Sequence, residues 1–196
     1  MPNKKRIDPA DLMPMDVYGK QRKERRLQVT ALKKDRRLQV GPDVTFYFEC
    51  YDTMWHQIHE MLYIERGGAA QVPDELDAYN PLIPQGRELV ATFMIEIEDE
   101  NRRRTTLAKM GGIENTITLD FDGETVAAAP ETGEERTRED GKTSSVHFLH
   151  FPFTAEQVAK FKKPGQRVIV GVGHSDYAHL AVMPEATRAA LAKDFD

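Results

Sequence analysis

The chain has 196 residues and a formal charge of -5, from 27 basic and 32 acidic side chains. That length fits one domain with an appendage. Hydrophobic residues make up 40% and charged residues 30%, enough apolar content for a core and against a wholly disordered chain. No apolar run reaches the roughly 18 residues that a membrane span needs, so no membrane insertion is expected. Lys4-Lys5-Arg6 is followed by Asp and Pro rather than an apolar run, which argues against a secretory signal. The single Cys50 can form no internal disulfide, so a cytoplasmic location is expected.

Charge is unevenly spread. Residues 1–37 hold 12 Lys/Arg against 5 Asp/Glu, and the remainder is acidic. Such an arm either recruits an acidic partner or docks on its own body. Nucleic acid is not expected, because no aromatic residues interleave with these cations. Within the arm, Lys23–Val29 is repeated as Lys34–Val40, an offset near three helical turns. The spacing predicts a long basic helix, unbroken or interrupted near Met13-Pro14, that ends near Val40 at Gly41-Pro42. Leu27, Ala31 and Leu38 would share one face. The arm is assigned to residues 1–41 and a single α+β domain to residues 42–196.

Val44–Cys50 reads as a strand with Val44, Phe46, Phe48 and Cys50 on one face. A helix capped by Asp52 runs to about Arg66, with Gly67-Gly68 as its stop. Pro73–Ala78 is a short helix candidate, and Asn80-Pro81 and Pro84–Gly86 are turns. Leu89–Glu98 is a strand, Asp99–Met110 a short polar helix, and Ile113–Phe121 a strand. Asp122-Gly123 signals a hairpin into Glu124–Ala129. Residues 130–142 carry no large apolar side chain and are expected to form a mobile loop. Ser145–Phe153 is apolar on both faces and so central. Thr154 caps Ala155–Phe161, Arg167–Gly173 and Ala178–Met183 are strands, and Pro184 opens a last helix at its first position. Hairpin-linked strands with interspersed helices predict an α+β fold with a mainly antiparallel sheet and flanking helices.

No dinucleotide glycine motif, P-loop, Gly-x-Ser-x-Gly or paired Cys-x-x-Cys is present, so no nucleotide cofactor is expected. At about 100° per residue, Met54, Trp55, Ile58, Met61 and Leu62 form the buried arc of the helix 52–66. Glu65 falls in the middle of that arc, where a carboxylate needs a cation, a metal or a proton. His56, His59, Glu60 and Tyr63 fall on the opposite side, which is either a solvated polar face or one where His56 and His59, with Glu60 nearby, share one metal. His147 and His174 lie on strands, His174 at a strand end beside Gly173, where sites are often built. Two imidazoles and a carboxylate suit Fe(II), Zn or Mn. The candidate metal ligands are therefore His147, His174, Glu65 and Glu60, with Glu49 as a further carboxylate. Without metal, the same groups could exchange protons.

Phe48–Thr53, Glu60–Arg66, Glu75–Pro84, Ser145–Leu149 and Gly173-His174 resemble a bacterial family of uncharacterised proteins, domain-of-unknown-function family 3501. The resemblance covers most of the chain. It matches at Glu60, Glu65, His147 and His174, and it supplies no activity. Members are encoded near rubrerythrin-like and iron–sulfur oxidoreductase proteins, which implies a role close to peroxide or electron-transfer chemistry. The expected function is a His/Glu metal-binding or redox-accessory protein, holding iron or another divalent transition metal. Its implied partner is a rubrerythrin-like or iron–sulfur protein, and a homo-oligomer is compatible with it. The alternative is a non-enzymatic adaptor whose basic helix recruits an acidic partner.

Overall fold

A computed structural model describes residues 4–131 and 142–196. The loop expected at 130–142 therefore lies almost wholly outside the described residues. The fold is α+β, and every strand pairing is antiparallel.

Helix α1 spans Met15–Lys34 and the strands β1 and β2 span Arg37–Val40 and Val44–Phe48. Helix α2 (Tyr51–Glu65) and helix α3 (Val72–Tyr79) follow, then strand β3 (Glu88–Ile95) and helix α4 (Glu100–Leu107). Strands β4 (Ile117–Phe121) and β5 (Glu124–Ala127) form the expected hairpin, with positive φ at Asp122 and Gly123. The short β6 (Ala129–Pro130) precedes β7 (Val146–Pro152) and α5 (Ala155–Phe161). Strands β8 (Ile169–His174) and β9 (Tyr177–Val182) and helix α6 (Glu185–Leu191) complete the chain.

One sheet has the order β1-β2-β3-β7-β6 and the other β5-β4-β8-β9. Alternation along β2 and β3 turns Val44, Phe46, Phe48, Leu89, Ala91 and Phe93 toward the second sheet, which answers with Ile117, Leu119, Val170 and Val172. Phe161 of α5 and Leu191 of α6 join this core. The other face of the first sheet is covered by helices, where Met54, Ile58 and Leu62 of α2 meet Leu76, Leu82 and Val90. Strand β7 is apolar on both faces because both are covered, by the second sheet on one side and the helices on the other.

The basic helix ends earlier than its sequence predicts. The first copy of the repeat is helical, whereas Arg37–Val40 of the second copy is a strand. Leu27 is 65% exposed and Leu38 only 7%, so they do not share a face. Pairing of Arg37–Val40 with Val44–Tyr47 supplies the second copy with a ladder and buries Leu38 and Val40, which outweighs its helical propensity. The C-terminal helix starts one residue later than expected, with Pro184 as its cap.

Tyr177 ties the two sheets together at the β1–β2 turn. Its hydroxyl donates to the carbonyl of Val40 at 2.7 Å and accepts from the N–H groups of Asp43 and Val44 at 3.0 and 3.1 Å. Gly41 makes room for this ring: it has φ +71°, and a Cβ there would lie 2.6 Å from the hydroxyl. Tyr177→Phe is expected to strand these buried main-chain groups and cost about 1–3 kcal/mol. A lower urea midpoint with an unchanged slope is the expected result.

Candidate functional site

The four residues assigned to a metal occupy separate environments. Glu60 lies between α1 and α2. Arg22 donates to both of its oxygens at 2.9 Å, and the Tyr18 hydroxyl donates to Oε1 at 2.8 Å. The Arg22 hydrogen bonds lower the Glu60 pKa from an ordinary 4.5 to about 2, with burial opposing and Tyr18 assisting. His56 Nδ1 is 3.1 Å from the same hydroxyl. His59 is fully buried: Nδ1 lies 2.6 Å from the Trp55 carbonyl, and Nε2 accepts from the Met13 N–H at 3.0 Å. Both ring nitrogens are thus engaged in one neutral tautomer, and burial depresses the His59 pKa.

The face bearing His56, His59, Glu60 and Tyr63 is consequently not a solvated one. Helix α1 covers it. The close approach depends on Gly19, where a Cβ would lie 2.8 Å from the Tyr63 ring. Arg22 and Arg25 lie over the rings of Tyr63 and Trp55 at 5.0 and 5.4 Å.

Glu65 is exposed, not in the middle of the buried arc as the helical wheel predicts. It is the last residue of α2, and its carboxylate accepts from Gln71 Nε2 at 2.7 Å. His147 is buried between the sheets: Nε2 lies 2.9 Å from the Ser144 carbonyl and 3.0 Å from Thr143 Oγ1, and Nδ1 lies 3.9 Å from Glu114. His174 Nε2 lies 3.2 Å from the Gly111 carbonyl, while Nδ1 accepts from the Asp176 N–H at 3.2 Å. The two histidines flank the segment from Gly111 to Glu114, whereas Glu60 sits in the helical layer on the far side of the first sheet. Among the described residues, no group of three or more His, Cys, Asp or Glu side chains is placed to hold a metal ion. His150 instead bridges Glu88 and Glu131 at 3.0 and 2.5 Å, and the Glu88 contact raises its pKa ahead of the opposing burial.

A different site lies between the first sheet and the helices. Tyr47, Thr92 and Phe148 are in register across β2, β3 and β7, and Thr45, Met94 and Val146 form the next row. Met54 and Gln57 of α2, Tyr79 of α3 and Lys33 of α1 face these rows across a cleft of about 450 Å³. Its polar floor is Glu49, just beyond the end of β2 and only 5% exposed. Oε1 accepts from Thr92 Oγ1 at 2.7 Å, whereas Oε2 is buried and has no hydrogen-bond partner.

Behind Glu49 lies Arg36, 5% exposed. Its guanidinium donates to the carbonyls of Phe48 and Glu49 at 3.0 Å each and pairs with Asp194. The guanidinium therefore meets the main chain of Glu49 and spends its ion pair on Asp194. Beside Arg36 and Asp194, Cys50 caps α2 with Thr53, and burial pushes its thiol pKa up against the pull of Arg36.

The Glu60 network predicts a specific acid response. A carboxylate depressed in the fold stabilises it above the unfolded pKa and loses that contribution as pH falls from about 4.5 toward 2. Glu60→Gln is therefore expected to lower stability at neutral pH and to flatten the loss over that window. Urea midpoints measured between pH 6 and pH 2.5 check this, and parallel curves for both proteins would refute it.

Among the described residues, no helix is long and apolar enough to cross a membrane. The chain matches the model of the family described as "Protein of unknown function (DUF3501)" over residues 6–195. Its fold is similar to that of a novel protein of unknown function from Burkholderia pseudomallei K96243, solved by crystallography. The two are 37% identical with a TM-score of 0.90, over 97% of this chain and 99% of that one. No curated protein matches the chain. With nearly its whole length matched by the family model, the chain belongs to the DUF3501 family.

Proposed function

We propose that this protein binds a small organic molecule in the cleft floored by Glu49. The observation that carries the reading is a cleft of about 450 Å³ lined by the buried Glu49, whose Oε2 has no hydrogen-bond partner. A buried carboxylate oxygen without a donor is costly in a fold that serves stability alone. A cleft of this size, walled by aromatic and thioether groups around one charged residue, has the usual constitution of a ligand site. Phe48–Thr53, Glu75–Pro84 and Ser145–Leu149, three of the segments that carry the family resemblance, meet at this cleft through Glu49, Tyr79, Leu82, Val146 and Phe148.

The arrangement lends a metal-bearing or redox-accessory role through His147, His174, Glu60 and Glu65 no support, since they lie in separate environments and each has other partners. Recruitment of an acidic partner by the basic arm has fewer charges to work with than the sequence offers. Lys5, Arg22, Arg36 and Arg37 pair with acids of the body, Asp196, Glu60, Asp194 and Glu96.

A group kept for binding is often replaceable with a gain in stability. Glu49→Gln removes the buried charge and keeps an acceptor for Thr92. It is expected to raise the ligand-free thermal midpoint by a few degrees, equivalent to about 1 kcal/mol. A fall of similar size would mark Glu49 as a structural carboxylate and sink the reading.

A further inference from the structure

The charges around the cleft restrict what it can receive. Arg36, Asp194 and Glu49 form a buried set of one cation and two carboxylates. Asp194 takes the ion pair with Arg36, and Arg36 hydrogen-bonds the main chain of Glu49 while its charge acts on the Glu49 carboxylate only through space. One negative charge is thus left in the set, at the wall of the cleft. A ligand carrying a single cation at the Glu49 end of the cleft would neutralise it. The walls suit an ammonium attached to apolar carbon. Tyr47, Tyr79 and Phe148 offer ring surfaces, and Met54 and Met94 offer polarisable thioethers.

Lys33 supplies the second constraint. It also lines the cleft, comes from the last turn of α1, and forms no ion pair among the described residues. A ligand that is only a cation would be repelled by it. A ligand with an anionic group at its other end would be attracted. Resting on the reading of the cleft as a ligand site, we infer that its ligand is a zwitterion: an amine directed at Glu49 and an anionic group directed at Lys33, joined by an apolar segment. No bond is made or broken in this step, which is recognition only.

The probes are 4-aminobutanoate, 6-aminohexanoate and 8-aminooctanoate, each set beside the alkylamine, alkanoate and alcohol of matching length. Isothermal titration measures affinity, and methyl resonances of Met54 and Met94 report where a probe sits. One amino acid of the series is expected to bind at least about ten-fold tighter than its matching amine, a difference of about 1.4 kcal/mol. The alkanoate and the alcohol are expected to bind weaker still. Glu49→Gln should weaken the amino acid and the amine alike by about ten-fold or more. Lys33→Ala should weaken the amino acid and, with the repulsion removed, strengthen the amine, so that the preference between them is lost. Thermal midpoints of both variants confirm that each is folded.

The inference is overturned if alkanoate binds as well as amino acid, or if Lys33→Ala leaves the preference intact. It is also overturned if Lys33→Ala strengthens the amino acid and the amine alike, since the lysine would then itself be the occupant of Glu49. Should the alcohol alone shift the Met54 and Met94 resonances, the zwitterion falls and the cleft stands as a neutral-ligand site. Should no probe move those resonances, the zwitterion falls and the cleft reading loses its support with it.

Discussion

The buried Arg36 is the constraint on which several other features hang. A guanidinium cannot leave water without partners for its donors, and each loss is costly. Here those partners come from distant parts of the chain: the carbonyls of Phe48 and Glu49 at the end of β2, and the carboxylate of Asp194 near the C-terminus. The bend after β2 is thereby pinned where Glu49 turns toward the cleft and Cys50 toward the start of α2. The same residue separates the two copies of the repeat. Arg25, its counterpart in the first copy, lies on α1 over the ring of Trp55 and leaves the helix intact. Arg36 is drawn inward, and the chain just beyond it becomes β1.

The basic arm follows a related logic. Its charge excess looks like an unsatisfied surface when counted along the sequence. In space, Arg22, Arg36 and Arg37 face acids supplied by α2, the C-terminus and β3's following residue Glu96. The partly buried Arg22–Glu60 pair also has the Tyr18 hydroxyl to complete it, which is what makes a polar contact between two helices tolerable. Helix α2 is thus sandwiched. Its apolar arc meets the sheet and its polar arc meets α1, so its His and Glu side chains serve packing rather than solvation.

The fold was legible because it is written in periodicity. Strands such as Leu89–Ile95 and Val146–Pro152 alternate or stay apolar as two covered faces require, and Asp122-Gly123 and Thr154 punctuate them with turn and cap chemistry. Glu65 and the end of α1 were not legible for a shared reason. A helical wheel assigns faces within an element and is silent on where the neighbouring element stops. Glu65 lies on the apolar azimuth of α2, yet it is the final residue and sits beyond the packed turns. The second repeat copy has the composition of a helix, and only the ladder with Val44–Tyr47 makes it a strand.

The cleft was hidden by the same alternation that revealed the strand. On β2, the inward row of Val44, Phe46 and Phe48 is a strong apolar signal, which leaves Thr45, Tyr47 and Glu49 looking like an ordinary solvent face. That face is wet only when nothing covers it. Here α1, α2 and α3 arch over the rows formed by β2, β3 and β7, and they leave a gap at Glu49 in place of a packed side chain. A carboxylate on such a face gives no local sign of its environment, because nothing in its neighbours' identity differs from an exposed edge. What distinguishes it is the distant guanidinium that takes its main-chain carbonyl, gives its ion pair to Asp194 and leaves Oε2 without a donor. Three segments remote in sequence create that imbalance, so it belongs to the tertiary structure and to no motif.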